Sequence, residues 1–166
     1  MTTKSRLVRW AGKALSRRAA KPTAPAHRPE PPAGPRAYRG DFTGRADITY
    51  APRADGLADP GEVVWAWVPY EEDATRGKDR PVLVIAMTGE DLLGLMLTSK
   101  DHDRRPDADR WFDIGTGAWD RQGRPSEVRL DRVLRLAPSA VRREGAALDR
   151  DRFDQVSAAA RRALGW

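Results

Sequence analysis

The chain has 166 residues, which at about 150 residues per domain predicts one domain with a short extension. It carries 30 Lys and Arg residues against 24 Asp and Glu residues, a net charge of +6, and it contains no cysteine. A disulfide scaffold, thiolate catalysis and Cys-ligated zinc are therefore excluded, and two histidines exclude most His-based metal centres. No apolar run approaches the roughly 20 residues of a membrane span, and no secretory signal is visible. These features predict a cytoplasmic protein without a bound metal or cofactor.

The positive charge is confined to the first third of the chain. Residues 1–58 carry 12 basic and 4 acidic side chains, whereas residues 59–166 carry 18 and 20. The net charges of the two parts are therefore +8 and −2. Arginine supplies 25 of the 30 basic residues and asparagine is absent, a bias that a GC-rich genome would produce. The abundance of arginine is consequently weak evidence for nucleic-acid binding.

The N-terminal third is predicted to be an extension rather than part of the domain. Residues 4–20 show the pattern of a short basic amphipathic helix, suited to an anionic membrane surface or a nucleic acid, although a disordered basic tail fits equally. Residues 22–35 contain six prolines, which prevent a helix and favour an extended linker. Few large apolar residues follow, and we expect disorder up to about residue 58.

The remaining part, residues 59–166, is predicted to fold as one mainly β domain (α+β). Short apolar runs that are rich in β-branched residues and bounded by turn residues predict strands. The predicted strands are 63–68, 82–87, 92–97, 111–114, 127–130 and 133–136. Asp149 is a suitable N-cap for a final helix whose core face contains Phe153, Val156, Ala160 and Leu164. Such a pattern is typical of a small antiparallel barrel, or a sheet, with one helix packed on it.

A predicted hairpin brings polar residues together. If Gly89 and Glu90 form a two-residue turn, Thr88 lies opposite Asp91, and Arg80 lies opposite Ser99 further along the hairpin. The residue next to Ser99 is Thr98, so a guanidinium and one or two hydroxyls meet at the open end of the hairpin. This arrangement suits a phosphate-like anion, although an ordinary surface pair would look the same.

The strings PGEVVWAWVPYEEDATRGKDRPVLVIA (60–86) and LMLTSKD (95–101) resemble the PemK/MazF family of toxins from type II toxin–antitoxin systems. The segment VRLDRVLRLAPSAVRREGAALDRDRFDQVSAAARRAL (128–164) is similar to the C-terminal strand pair and helices of that family. The resemblance covers about residues 60–164. It implies an SH3-like barrel, a homodimer, and a growth-inhibiting endoribonuclease that cuts single-stranded RNA and is neutralised by a cognate antitoxin. DNA would be a partner only together with the antitoxin.

By position, the resemblance assigns catalytic roles to Arg80 and Thr98. The implied chemistry is a metal-free transphosphorylation, in which the ribose 2′-OH attacks the adjacent phosphate and expels the 5′-oxygen. Arg80 would stabilise the developing charge, because its guanidinium stays protonated and offers several donors. Ser99 would assist Thr98 as a hydrogen-bond donor.

The other predicted substrate-binding residues surround this pair. A carboxylate in the first loop could accept the 2′ proton, although a solvated acidic loop fits equally. Trp67 could stack on a base or belong to the core. The residues concerned are Glu71, Glu72, Asp73, Lys78, Lys100 and Trp67.

Two features separate this chain from the family pattern. The hairpin arithmetic pairs Arg80 with Ser99 whereas the resemblance pairs it with Thr98, and a single β-bulge would reconcile the two. The first loop, YEEDATRGKD (70–79), replaces the Gly-Ser-Glu-Gln-like segment of the family, so the sequence does not predict the RNA recognition sequence.

Alternative readings stay open at this stage. The same barrel could be a non-catalytic, gyrase-directed toxin module of the CcdB type. A DNA-binding regulator would use arginines around the last helix, namely Arg142, Arg143, Arg150 and Arg152. The stretch 100–110 could form a lid over the groove, and its acidic residues around His102 are expected to form a self-compensated surface loop rather than a metal site.

Overall fold

Seven strands and one helix make up the part of the chain that the structure describes. The computed structural model describes residues 38–166, apart from the side chains of residues 143–145. The elements are β1 (Tyr38–Asp41), β2 (Glu62–Pro69), β3 (Gly77–Thr88), β4 (Asp91–Thr98), β5 (Trp111–Gly115), β6 (Ser126–Leu136), β7 (Val141–Ala147) and α1 (Arg150–Leu164). Single 3-10 turns at Ala108–Arg110 and Pro138–Ala140 precede β5 and β7.

The strands form one antiparallel sheet that curls into a half-barrel. Its order is β1-β6-β4-β3-β2-β7, and β5 pairs separately with β6. The predicted mainly β fold with a C-terminal helix is confirmed, as is each predicted strand region. The two strands predicted at 127–130 and 133–136 are one long strand, β6, because an irregularity in its pairing with β4 interrupts the apolar pattern without ending the strand. Strands β1 and β7 are not among the predicted strands.

Both faces of the sheet are buried, which explains why the central strands are continuously apolar. On β2, Val63 belongs to the core between the sheet and α1, whereas Val64 belongs to a second core on the opposite face. The same alternation separates Leu83 from Val82 on β3. The polar residues at the N-terminal end of β3 and at the C-terminal end of β4 lie on the same face of the sheet as this second core.

Helix α1 begins where the sequence predicts. The Asp149 carboxylate accepts hydrogen bonds from the backbone N–H groups of Asp151 and Arg152, as an N-cap does. The helix ends at Leu164, and the following Gly165 has a φ of 69°, the left-handed conformation that glycine adopts without strain. Phe153, Val156 and Ala160 are buried in the first core, and Leu164 packs against it. No helix in residues 38–166 is long and apolar enough to cross a membrane.

The expected disorder up to residue 58 is wrong for residues 38–58. Strand β1 pairs with β6, and the backbone N–H of Thr49 donates to the carbonyl of Ile85. Ile48 is buried in the first core, and the Tyr50 hydroxyl donates to the carbonyl of Leu148. Ile48, Phe42 and Tyr50 of this segment therefore pack into or against the first core, whereas Leu57 is 68% exposed. The predicted helix 4–20 and the proline-rich stretch 22–35 lie outside the described residues.

Candidate functional site

The hairpin turn between β3 and β4 is the predicted one. Gly89 has a φ of 61°, which suits the first central position of a type II′ turn, and Thr88 lies opposite Asp91. The next pairs keep the predicted register as far as Ala86. Glycine is needed here because other residues are strained at this φ.

A β-bulge at Ile85 then changes the register. Paired residue numbers sum to 179 near the turn, but beyond Ile85 they sum to 178, as in the pair of Val82 with Met96. Continuing this register would place Arg80 opposite Thr98 rather than Ser99, so the pairing given by the hairpin arithmetic does not extend past the bulge. The extra residue on β3 is the single bulge that reconciles the hairpin geometry with the family resemblance.

The side chains of Arg80 and Thr98 project from the same face of the sheet. Val82 and Met96 both belong to the second core, and Arg80 and Thr98 lie two residues beyond them on their strands. Both residues line a pocket of about 200 Å³ at this end of the sheet. Thr98 is 6% exposed and Arg80 is partly buried, so the hydroxyl and the guanidinium lie at the boundary between core and solvent.

The charges around Arg80 are mutually repulsive. Burial lowers the pKa of Arg80, and the charge of Arg132 lowers it further while Tyr70 opposes the effect. The pKa of Lys78 is lowered first by Arg80, then by burial, and then by Lys100. Within the described residues, none of Lys78, Arg80 and Lys100 has a carboxylate at ion-pair distance. An anion placed here would relieve this repulsion, so by charge the cluster is a candidate site for a phosphate group.

The hydroxyl of Thr98 is oriented by the backbone. Its Oγ1 accepts a hydrogen bond from the backbone N–H of Lys100 at 3.2 Å. The hydroxyl therefore keeps its own hydrogen for donation. A donor next to a guanidinium is the arrangement that stabilises negative charge on a phosphate oxygen.

Arg132, which the sequence analysis did not single out, lies buried behind this cluster. Its Nε donates to both oxygens of Asp41 at 3.0 and 3.1 Å, and its Nη1 donates to the carbonyl of Pro69 at 3.1 Å. The Tyr38 hydroxyl lies next to Arg132 Nη2. Burial raises the pKa of Tyr38 to about 12, and a hydrogen bond to Asp41 contributes to this shift. Nothing in the sequence separates this arginine from the other 24.

The three candidate carboxylates of the first loop have different environments. Glu71 Oε1 lies 2.6 Å from Arg129 Nη1 and 3.9 Å from Arg132 Nε, which joins Glu71 to the arginine next to Arg80. Asp73 accepts hydrogen bonds from the backbone N–H and the hydroxyl of Thr75, and these bonds lower its pKa. Glu72 is exposed to solvent. Glu71 is therefore the carboxylate that the structure connects to the cationic cluster.

The structure does not bring Trp67 to the face of Arg80. Trp67 lies opposite Asp79 in the β2–β3 ladder, and Arg80 lies opposite Ala66. Successive strand residues point to opposite faces, so the indole and the guanidinium are on different sides of the sheet. Ser99 follows the last residue of β4 and lines the pocket.

The stretch predicted as a lid is attached to the domain by His102. This side chain is 5% exposed, its Nδ1 lies 2.6 Å from Glu127 Oε2, and its ring stacks on Trp111 with centroids 3.9 Å apart. The backbone N–H of His102 also donates to Glu127. His102 therefore packs the loop against the domain. Both carboxylate oxygens of Glu127 contact His102, one through its backbone N–H and the other through Nδ1.

The geometry defines a small β domain with a cationic cluster, unpaired within the described part of the chain, beside an oriented hydroxyl. The family model of the PemK-like, MazF-like toxin of type II toxin–antitoxin systems matches residues 59–164. Because this match covers more than half of the 166 residues, the chain belongs to that toxin family. The packed segment 38–58 precedes the matched region.

Two solved structures illustrate what the chain is similar to. One is an endoribonuclease in complex with its cognate antitoxin from a mycobacterial species, with 15% identity and a TM-score of 0.48 over 66% of this chain and 95% of that chain. The other is a MazE–MazF complex from Deinococcus radiodurans, with 20% identity and a TM-score of 0.48 over 66% of this chain and 97% of that chain. No curated protein sequence matches the chain.

Proposed function

We propose that this toxin is an endoribonuclease that cuts single-stranded RNA without a metal ion. The observation that carries the proposal is the meeting of Arg80 and Thr98 on one face of the sheet, flanked by two lysines that have no acidic partner among residues 38–166. RNA supplies both the anionic phosphate that this cluster lacks and the 2′-hydroxyl that can act as nucleophile. DNA supplies the phosphate but not the nucleophile.

The proposed reaction is a transphosphorylation. The 2′-oxygen loses its proton and forms a bond to phosphorus while the bond to the 5′-oxygen breaks. The departing 5′-oxygen takes a proton from solvent water, which leaves a 2′,3′-cyclic phosphate and a free 5′-hydroxyl. Arg80 binds the non-bridging oxygens and Thr98 donates a hydrogen bond to one of them, so both stabilise the phosphorane. Glu71 is the proposed acceptor of the 2′ proton. It is the loop carboxylate that lies near Arg132, the arginine beside Arg80, and it is also paired with Arg129.

The partners follow from the family. A type II toxin implies a cognate antitoxin protein, and we propose that this antitoxin covers the face of Arg80 and Thr98 and thereby prevents RNA binding. We further propose a homodimer in the cytoplasm, with DNA bound only in the complex with the antitoxin.

The test is cleavage of a defined single-stranded RNA by the purified full chain in EDTA. We expect cuts that leave 2′,3′-cyclic phosphate ends. Thr98→Val removes the hydroxyl while keeping the shape of a side chain that is 6% exposed, and it should lower the cleavage rate about 10²-fold. Thr98→Ser restores the hydroxyl and should recover most of the rate.

The outcomes of this experiment separate the function classes. Intact RNA under all conditions would reject the nuclease and favour a binding module, either gyrase-directed or DNA-binding. Cleavage by Thr98→Val at the rate of the unmodified chain would reject the assigned role of Thr98 but not the activity. Thermal unfolding of each variant shows whether a lost activity reflects a lost fold.

Lys78 and Lys100 should contribute affinity rather than chemistry. Replacing both with alanine removes two phosphate contacts, so the slope of log affinity against log salt should become shallower by about 1.4. RNA binding by the slowly cleaving Thr98→Val chain, measured at several salt concentrations before cleavage proceeds, gives this slope. The double variant Arg45→Ala/Arg162→Ala is the matched control, because it removes two charges from exposed side chains outside the pocket. An equal change in both double variants would contradict a localised phosphate site.

A further inference from the structure

Glu127 lies beside Thr98 although the proposed reaction gives it no role. It is the residue opposite Thr98 in the β4–β6 ladder. Side chains of opposed residues project from the same face of a sheet, with Cβ atoms roughly 5 Å apart. The carboxylate of Glu127 therefore shares a face with the hydroxyl of Thr98, and whatever this carboxylate holds is placed next to that hydroxyl.

The carboxylate of Glu127 holds the loop that follows β4. The backbone N–H of His102 donates to Glu127 Oε1 at 3.1 Å, and His102 Nδ1 lies 2.6 Å from Glu127 Oε2. Only residues 99–101 separate His102 from Thr98. This short turn is thus attached to Glu127 at both of its ends, by the ladder pair at Thr98 and by the carboxylate at His102.

The middle residue of the turn is the one that orients the Thr98 hydroxyl. The backbone N–H of Lys100 donates to Thr98 Oγ1 at 3.2 Å. This distance is at the long end of the range of about 2.7–3.2 Å for such bonds, so a shift of a few tenths of an ångström in the turn would break it. The direction of the hydroxyl therefore depends on where His102 is held.

We propose that His102 and Glu127 are positioning residues for RNA cleavage, which hold the turn 99–101 so that Lys100 orients the Thr98 hydroxyl toward the phosphate. This inference rests on the proposed function. His102 is 5% exposed, so it acts through Glu127 and the turn rather than on the RNA itself. Second residues that fix a reacting group in this way affect the rate more than the affinity, because the substrate contacts remain.

Two variants of His102 separate positioning from packing. The ring of His102 stacks on Trp111 of β5 with centroids 3.9 Å apart, whereas its Nδ1 contacts Glu127 of β6. His102→Phe keeps a ring on Trp111 but loses the Nδ1 contact, and it should lower kcat about tenfold with KM changed less than about twofold. His102→Asn places an amide N–H near the position of Nδ1 and should retain most of kcat. A residue that only packs predicts the reverse order, because phenylalanine fills the site and asparagine does not.

Variants of Glu127 test the other half of the pair. Glu127→Ala removes both contacts to His102 and should lower kcat about tenfold. Glu127→Gln keeps an oxygen for the His102 N–H and offers its amide N–H to the ring nitrogen, so it should recover most of the rate. Asp109→Ala is the matched control, since it removes an exposed carboxylate from the same loop. All rates are measured in EDTA, below the unfolding temperature of each variant.

The orientation of Thr98 also has a readout that needs no RNA. Hydrogen exchange of the Lys100 backbone amide, followed by NMR, reports on its bond to Thr98 Oγ1. We expect this amide to exchange about tenfold faster in His102→Phe and Glu127→Ala than in the unmodified chain, and at an unchanged rate in Asp109→Ala.

Three results would overturn the inference. They are full kcat in the Glu127→Ala chain, a larger loss in His102→Asn than in His102→Phe, and unchanged Lys100 exchange in both damaging variants. RNA that the unmodified chain leaves intact would reject the proposed function, and with it any role of the pair in cleavage. The exchange rates would then still decide whether His102 and Glu127 orient the hydroxyl.

Discussion

Replacing Arg80 with alanine is expected to lower the rate of RNA cleavage by about 10²–10³-fold, the loss typical of removing one donor to a developing oxyanion. The reason is local, because Arg80 is the partly buried cation that shares a face and a pocket with Thr98. Its burial also means that the charge acts in a medium less screened than water. The measurement is a single-turnover rate on a defined single-stranded RNA in EDTA.

The control for this result is Arg135→Ala. Arg135 is an exposed arginine whose Nε donates to Asp91 beside the hairpin turn, at the other end of the sheet from Thr98. The Arg135→Ala substitution removes the same charge as Arg80→Ala, but at a position away from Thr98, so the cleavage rate should stay unchanged. Equal losses in both variants would show that net charge, and not the placed guanidinium, governs cleavage.

The Arg80→Ala variant has a second readout that does not depend on activity. Arg80 is the largest cause of the lowered pKa of Lys78, so removing this positive charge should raise the pKa of Lys78 toward its ordinary value. NMR titration of the lysine side-chain signals measures this change. An unchanged Lys78 pKa would contradict the electrostatic contact between the two residues and thereby the cationic cluster itself.

The second large effect concerns stability. A shortened chain that begins at residue 59 is expected to lose about 3–5 kcal/mol of unfolding free energy, because two contacts are lost together. Buried Arg132 loses its partner Asp41, and the first core loses the buried side chain of Ile48. A chain that begins at residue 36 retains both contacts and should unfold at the same denaturant concentration as the full chain. Urea denaturation measures all three.

Point variants identify which contact matters. Asp41→Ala breaks the pair with Arg132 and should cost about 1–3 kcal/mol, less than the truncation because Asp41 is itself partly exposed. Asp47→Ala changes an exposed aspartate of the same segment and should be neutral. If the chain that begins at residue 59 is as stable as the full chain, residues 38–58 are a removable extension, as the sequence composition first predicts.

The sequence predicts most of the fold because the central strands and α1 carry strong patterns. The apolar runs of β2, β3 and β4, the glycine at position 89 and the Asp149 cap each have a local physical signature. Strand β1 has the sequence YRGD and β7 has VRREGAA, and neither shows the period of a half-buried strand. Their pairing depends on the neighbouring strand rather than on their own residues.

The site was partly predictable for the same reason. The resemblance identifies Arg80 and Thr98, but the hairpin arithmetic alone selects Ser99, since no residue type marks Ile85 as an extra residue in β3. The role of Arg132 was hidden because arginine is common throughout the chain and its partner, Asp41, lies 91 residues away in a segment that looks disordered by composition. Long-range pairing of this kind has no local signal.

Two short strands, β1 and β5, share β6, and this limits how a partner can pair with this border of the sheet. Strand β1 has four residues and β5 has five, and they occupy different parts of β6, so this border of the sheet offers a partner no long row of free backbone groups. At the other border, β7 is a seven-residue strand that pairs on one side with β2. Among the strands that the structure describes, β7 is therefore the place where an incoming polypeptide can extend the sheet by strand addition.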